Sequence, residues 1–256
     1  PQGLRREHET KKALLQRINL QYLELTPPPG AANFIYTRDQ AVFTRSGRVL
    51  FCSMRREERR PEVAVFKQTF GTGEGGVPVQ ETVCLHEIGG ANAILEGGDT
   101  MQWGDEFTPR SALFRSRRST ARGIEVGISF LSHEGYRVDV LDTDELHGTS
   151  GISVIGPETM LVNPAMIDLR QVKALGVKML IVPERERGTL AANAAWYSSS
   201  HTGLTRDVVI CNSNHPETAE MLDQAGYQVE TSDFTCHHLG EGSTDCAIGQ
   251  RYPLIA

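Results

Sequence analysis

The sequence predicts an α/β fold built as a ring of about five similar units, and three observations point to it. First, "HEGYRVDVLDTDELHGTSG" (133–151) and "QAGYQVETSDFTCHHLGEG" (224–242) share a helix end, a Gly-Tyr pair, a short alternating strand and a turn-rich loop. Second, "MIDLRQVKALGVKMLIVPE" (166–184) lies between them and repeats helix, glycine at the helix stop, then apolar strand. Third, the pattern recurs at about 45 to 50 residues, so roughly five copies fit the chain. Units of this kind, with their loops converging on one axis, would gather distant residues into one site.

The elements follow in order. "KKALLQRINLQYLELTPPPGAANFIYTRD" (11–39) reads as the first copy, a helix followed by a strand. "FIYTRDQAVF" (34–43) is strongly strand-like and places Asp39 inside the run. "GRVLFCSM" (47–54), "SGISVI" (150–155) and "TMLVN" (159–163) are apolar strands, while "ARGIEVGISFLS" (121–132) and "PETAEMLDQA" (216–225) are helical stretches. "FGTGEGGVP" (70–78) is the best candidate for a mobile loop. No linker rich in Pro, Ser or charge divides the chain, so residues 1–256 read as a single domain.

The net charge of −6 argues against nucleic acid or an anionic membrane as the main partner and favours a small molecule. No apolar run approaches the ~20 residues of a membrane span. "PQGLRREHETKK" at the start is polar and basic with no apolar segment behind it, which is not the pattern of a secretory leader. The five cysteines are an odd count with no C-x-x-C pair, so a reducing, cytoplasmic setting is expected. Whether residues precede Pro1, and whether the chain forms a homo-oligomer, stay open at this stage.

Cys52, Cys84 and Cys211 lie in or beside apolar runs and read as structural. Cys246 differs. Its segment "GEGSTDC" is too small and polar for a core strand, which would expose the thiol on a loop, against the common alternative of a packed cysteine. Cys236 with His237 and His238 suggests zinc, but a structural zinc takes four ligands and no second Cys/His cluster supplies them, so no metal is expected. A nucleophilic thiol needs a base. His147 stands, in the earlier repeat, where Cys246 or His238 stands in the later one; its bland alternative is a solvated loop histidine. In "LEGGD" (95–99) Glu96 and Asp99 flank a glycine turn. Asp39 reads either as an ion pair with Arg38 or another arginine, or as an acceptor for a planar cationic group, since a carboxylate takes two parallel N–H donors from a guanidinium.

Asp39, Glu96, His147 and Cys246, in that order, with "YTRD", "LEGGD", "SRRST" (116–120), "LHGTSG" (146–151) and "AAN" (191–193), resemble the guanidino-group-modifying superfamily of arginine deiminases, dimethylarginine dimethylaminohydrolases and amidinotransferases. The resemblance runs from about Asn33 to Cys246. It implies a five-unit αβ propeller of the pentein type, a single catalytic domain whose site lies on the pseudo-fivefold axis, and no organic cofactor.

The resemblance also implies roles. Cys246 attacks the guanidinium carbon and forms a thiouronium; His147 protonates the departing amine and then activates water; Glu96 binds the substrate or supports the histidine. Asp39 binds guanidinium nitrogens, with Asn33 and Asp99 also on the substrate-binding side, and Arg59 in "ERRPE" with Arg118 in "SRRST" bind a substrate carboxylate. Thr149 replaces the Asp that deiminases carry two residues after the histidine, which favours the dimethylarginine enzymes, whereas Asn33 matches the deiminase type. Because His147 and Glu96 supply no permanent positive charge, the resting thiol is expected to be partly un-ionised. The expected activity is hydrolysis of arginine or an N-methylated arginine to citrulline plus ammonia or a methylamine, with an amidinotransferase or a non-catalytic guanidino-binding protein as alternatives.

Overall fold

The structure is a computed structural model that describes residues 2–31, 33–71, 79–105, 107–199 and 204–248. Of the glycine-rich segment expected to be mobile, residues 72–78 lie outside the described residues. Helix α1 (Gln2–Arg17) comes first. The chain then runs strand, strand, helix, strand four times. The first pass is β1 (Ala41–Phe43), β2 (Arg48–Phe51), α2 (Arg60–Gly71) and β3 (Glu81–Cys84), followed by the short helix α3 (Leu85–Gly89). The second is β4 (Thr100–Trp103), β5 (Arg110–Arg115), α4 (Ala121–His133) and β6 (Arg137–Asp142). The third is β7 (Ile152–Gly156), β8 (Thr159–Val162), α5 (Leu169–Ala174) and β9 (Lys178–Ile181). The fourth is β10 (Ala195–Tyr197), β11 (Val208–Asn212), α6 (Pro216–Gln224) and β12 (Gln228–Ser232), with two short helices, α7 (Thr235–Leu239) and α8 (Thr244–Ile248), after it.

Each pass makes one three-stranded sheet. Its first two strands pair antiparallel, and the third returns through the helix to pair parallel with the second. A parallel return needs a crossover, which the helix provides. The second strand therefore lies in the middle, and the apolar run "VVICN" of β11 is buried at every position. The outer third strand is more exposed, as in β6, where only Leu141 is buried. Between helix and third strand stands a glycine at positive φ, Gly135 (80°), Gly176 (71°) and Gly226 (96°), a left-handed stop that glycine adopts without strain. Four such sheets are present among the described residues, against the five units expected.

Two compact units divide the chain, one of Pro1–Leu23 with Ser150–Ile248, the other chiefly of Glu24–Thr149. In the second, Leu50, Leu95, Leu113, Phe130 and Leu131 form one apolar cluster and Phe34, Phe51, Phe66 and Phe70 belong to another. In the first, Ile155, Leu161, Val209 and Leu222 pack together, while Leu14, Leu15 and Ile18 of α1 and its end cover Ala195, Val208 and Ile210. No helix among the described residues is long and apolar enough to cross a membrane.

Two local expectations are corrected. α1 begins at Gln2 rather than near residue 11, and no strand follows it in 20–28. Residues 37–40 are turn, so Asp39 sits just before β1 and not within a strand.

Candidate active site

The Glu24–Thr149 unit brings seven of the sequence-predicted residues together around three short segments. Gly97–Asp99 form a single 3-10 turn between the bridge at Leu95 and strand β4, with Glu96 just before it and Asp99 closing it. The two glycines permit a close approach. A Cβ on Gly98 would stand 2.7 Å from His147 Cγ and 2.8 Å from Asp39 Oδ1, and one on Gly97 would run into the Arg38 carbonyl oxygen. The turn carrying Asp39 is tied to it, since Gly97 N–H donates to the Asp39 carbonyl oxygen at 2.8 Å.

The loop after β6 delivers His147. Its imidazole is buried and its Nε2 lies 2.8 Å from Glu96 Oε2, while Nδ1 is 3.9 Å from Asp39 Oδ1. Burial pulls the imidazole pKa down, but the Asp39 charge, the Glu96 hydrogen bond and the Asp99 charge outweigh it and push it up to about 9. His147 is therefore an imidazolium at neutral pH. This corrects the expectation that it carries no standing positive charge.

Glu96 has no exposed surface; besides His147, its Oε1 accepts the Arg55 backbone N–H at 2.9 Å. Asp99 does not reach outward. Its Oδ2 accepts from the hydroxyls of Ser116 (2.6 Å) and Ser119 (2.5 Å), and its Oδ1 accepts the Gly148 N–H at 3.0 Å. Burial raises its pKa, and the His147 charge and the serine hydrogen bonds only partly offset that. The carboxylate expected to bind substrate thus anchors the His147 loop. Thr149 adds a second anchor, donating from Oγ1 to the Gly98 carbonyl oxygen at 2.8 Å.

Asp39 and Arg59 form a buried pair, Nη1 to Oδ2 at 2.7 Å. The remaining Arg59 donors go to Glu62 and to the backbone carbonyls of Asn33 and Tyr36. Arg59, which the resemblance assigned to a substrate carboxylate, is paired here with two protein carboxylates, Asp39 and Glu62. Arg118 is different: its guanidinium makes a long ion pair with Glu96, Nη1 to Oε1 at 3.9 Å. Asn33 contributes its backbone carbonyl oxygen to this network.

One atom of the cluster is left over. Asp39 Oδ1 is buried and accepts no hydrogen bond among the described residues. Burial disfavours the charged carboxylate, but His147, Arg59 and Arg38 together hold its pKa below the ordinary value, so the oxygen carries charge. A buried charged acceptor without a donor is costly unless a ligand supplies one. Asp39, Glu96 and His147 each offer a ligand atom within 4.8 Å of the others, so they could also hold a cation. Against a metal, Arg59 already stands on Asp39 Oδ2 and lies 3.9 Å from Glu96 Oε2.

Cys246 belongs to the other unit. The expectation of an exposed loop thiol is corrected: Cys246 lies in α8 and is 5% exposed. Ser243, Thr244 and Asp245 beside it are buried too. Asn193 of "AAN" touches it, donating from Nδ2 to Cys246 Sγ at 3.3 Å and accepting the Asp245 N–H on Oδ1 at 3.0 Å. That motif was the signal for Asn193; Glu62, Ser116 and Ser119 had none beyond lying within quoted motifs. The histidines that suggested zinc are otherwise engaged in part: His237 Nδ1 lies 2.6 Å from Glu7 in α1.

No family model matches the sequence. No curated protein matches it either. Solved structures do. The chain is similar to DDAH from Pseudomonas aeruginosa in a complex with citrulline, with a TM-score of 0.77, 21% identity, and 93% of this chain and 84% of that one covered. A dimethylarginine dimethylaminohydrolase adduct with S-methyl-L-thiocitrulline matches with the same TM-score and identity, over 94% and 86% of the two chains. The N-terminal domain of ArgZ, an arginine dihydrolase from the ornithine-ammonia cycle in cyanobacteria, matches in a form covalently bound to a reaction intermediate, with a TM-score of 0.75, 20% identity, and 98% and 89% of the chains covered. The chain therefore has the α/β fold of dimethylarginine dimethylaminohydrolase and of the N-terminal domain of ArgZ.

Proposed function

We propose that the chain acts as one catalytic domain, a cysteine-dependent hydrolase that converts the guanidinium of arginine or an N-methylated arginine to a ureido group, releasing ammonia or a methylamine. The observation that carries this reading is the orphaned, charged Asp39 Oδ1 beside the His147–Glu96 pair, an acceptor suited to a planar N–H cation. The likeness to enzymes whose names specify dimethylarginine and arginine supports the same substrate class.

In this proposal Asp39 accepts guanidinium N–H groups and the Cys246 thiolate attacks the guanidinium carbon. His147, already protonated, gives its proton to the departing amine, leaving a thiouronium on Cys246. The neutral imidazole then takes a proton from water, whose oxygen attacks the same carbon; collapse expels the thiolate and leaves the ureido product. Glu96 stabilises the imidazolium at the start and end of the cycle. Arg118 meets the substrate carboxylate, a role its loosely paired guanidinium suits better than that of Arg59, and Asn33 stays on the substrate side.

The test is a panel of arginine, monomethylarginine, dimethylarginine and agmatine assayed for ureido product, with and without an added amine acceptor. Ureido product that vanishes in Cys246→Ser, with a mass-detected adduct on Cys246, is expected. Ornithine formed only when an amine is present would make the chain an amidinotransferase, and binding without any product would make it a guanidino-binding protein.

A further inference from the structure

Asn193 is the residue whose geometry exceeds the roles assigned so far. Its side chain is 1% exposed and sits against Cys246 within the Pro1–Leu23 and Ser150–Ile248 unit. The orientation of its amide is settled by its neighbours. The Asp245 and Cys246 backbone N–H groups can only donate, and both point at one end of the amide, at 3.0 and 3.4 Å. That end must be the carbonyl oxygen. The NH2 end is thereby turned toward Cys246 Sγ, 3.3 Å away.

A donor locked onto sulfur does not treat the two protonation states alike. A thiolate is a strong acceptor and a thiol a weak one, so the N–H···S bond favours the charged form and lowers the thiol pKa. We propose that Asn193 is a positioning residue that holds the Cys246 sulfur by an amide N–H and biases it toward thiolate. The function proposed above is what makes that bias useful, since attack and expulsion both run through the thiolate, but the bias itself needs no substrate. The amide also fixes where the sulfur points, because the oxygen that receives the two backbone N–H groups and the nitrogen that touches sulfur belong to one rigid plane.

The experiment follows the rate of alkylation of Cys246 by iodoacetamide against pH, read on the Cys246 peptide by mass spectrometry so that the other four cysteines do not contribute. In Asn193→Ala the midpoint should move upward by about one pH unit. In Asn193→Asp, which keeps an acceptor for both backbone N–H groups but sets a carboxylate oxygen against the sulfur, it should move further upward. Thermal melts of both variants identify any that fails to fold, and the near-isosteric Asp variant keeps the test decisive if Ala unfolds. An unchanged midpoint in a folded variant, or a downward shift in Asp, overturns the proposal. If the midpoints shift as stated but no guanidino compound is turned over, Asn193 keeps its role and the substrate reading fails; if turnover is seen and the midpoints do not move, the reverse holds.

Discussion

At the residue scale the consequential group is His147. Its pKa in the folded chain, about 9, lies above the ordinary 6.5, so protonation favours the fold. The resulting stabilisation is complete below pH 6.5 and is lost as pH rises through 9, amounting to roughly 3 kcal/mol. Thermal melts should therefore fall between pH 6.5 and 9 in the wild type, and far less in His147→Gln. An NMR titration of the imidazole should show a midpoint near 9 that drops in Glu96→Gln; a midpoint near 6.5 in the wild type would show that the carboxylates do not act on it. Asp39→Asn takes away one of the two carboxylates that hold the buried Arg59 guanidinium. It is expected to cost about 3–5 kcal/mol, measured by denaturant unfolding, and to abolish binding of arginine analogues. The motif order named Asp39, Glu96 and His147, but the standing charge on His147 was not legible, because it is set by residues 39, 96 and 99 and only the fold gathers them.

At the scale of elements, the Gly97–Asp99 turn decides how close its neighbours come. Gly98→Ala puts a methyl where His147 and Asp39 already stand, both of them backed by buried partners that leave little room to give. Activity should fall by about 100-fold, the usual scale for displacing a reacting group by an ångström, while Gly176→Ala, far along the chain in a helix stop with open space around it, should cost stability alone. Equal activity losses in the two would contradict this account. The helices, glycine stops and third strands were legible because local rules set them: apolar period, positive φ, alternation. The strand expected over 34–40 was not, although "FIYTRD" has the composition for one. Arg59, twenty residues on, collects the carbonyls of Asn33 and Tyr36 and holds that segment as turns. Likewise "GEGSTDC" read as surface because small polar residues usually are; here Asn193, fifty residues away, satisfies the backbone and permits burial.

At the scale of the whole chain, the N-terminal helix is fastened to the C-terminal segment within one unit. Glu7 accepts the Cys236 and His237 backbone N–H groups and meets His237 Nδ1, and Lys11 Nζ donates to the carbonyl oxygen of Ala247, one residue past Cys246. Glu7→Ala strips the partner from buried donors and should cost about 1–3 kcal/mol. Hydrogen exchange is the sharper reading: protection should drop in residues 235–248 while that of β4–β6 is unchanged. The sequence showed a recurrence of helix, strand, loop and strand, which the structure resolves as strand, strand, helix, strand, and the motif order pointed to seven residues that the Glu24–Thr149 unit gathers. What a repeat cannot express is which acid of several serves as anchor. Asp99 and Arg59 were expected on the substrate side with Asp39 and Arg118, and it is their protein partners that set them apart.

The lone oxygen of Asp39 has one more consequence on the proposed reading. A guanidinium enters as a cation, and the ureido compound it becomes is neutral, with nearly the same plane and outline. The open acceptor therefore tells reactant from product by charge rather than by shape, gripping the first and losing most of its hold on the second. Turnover would discharge the very attraction that brought the molecule in, so departure needs no hinge or displacing ligand.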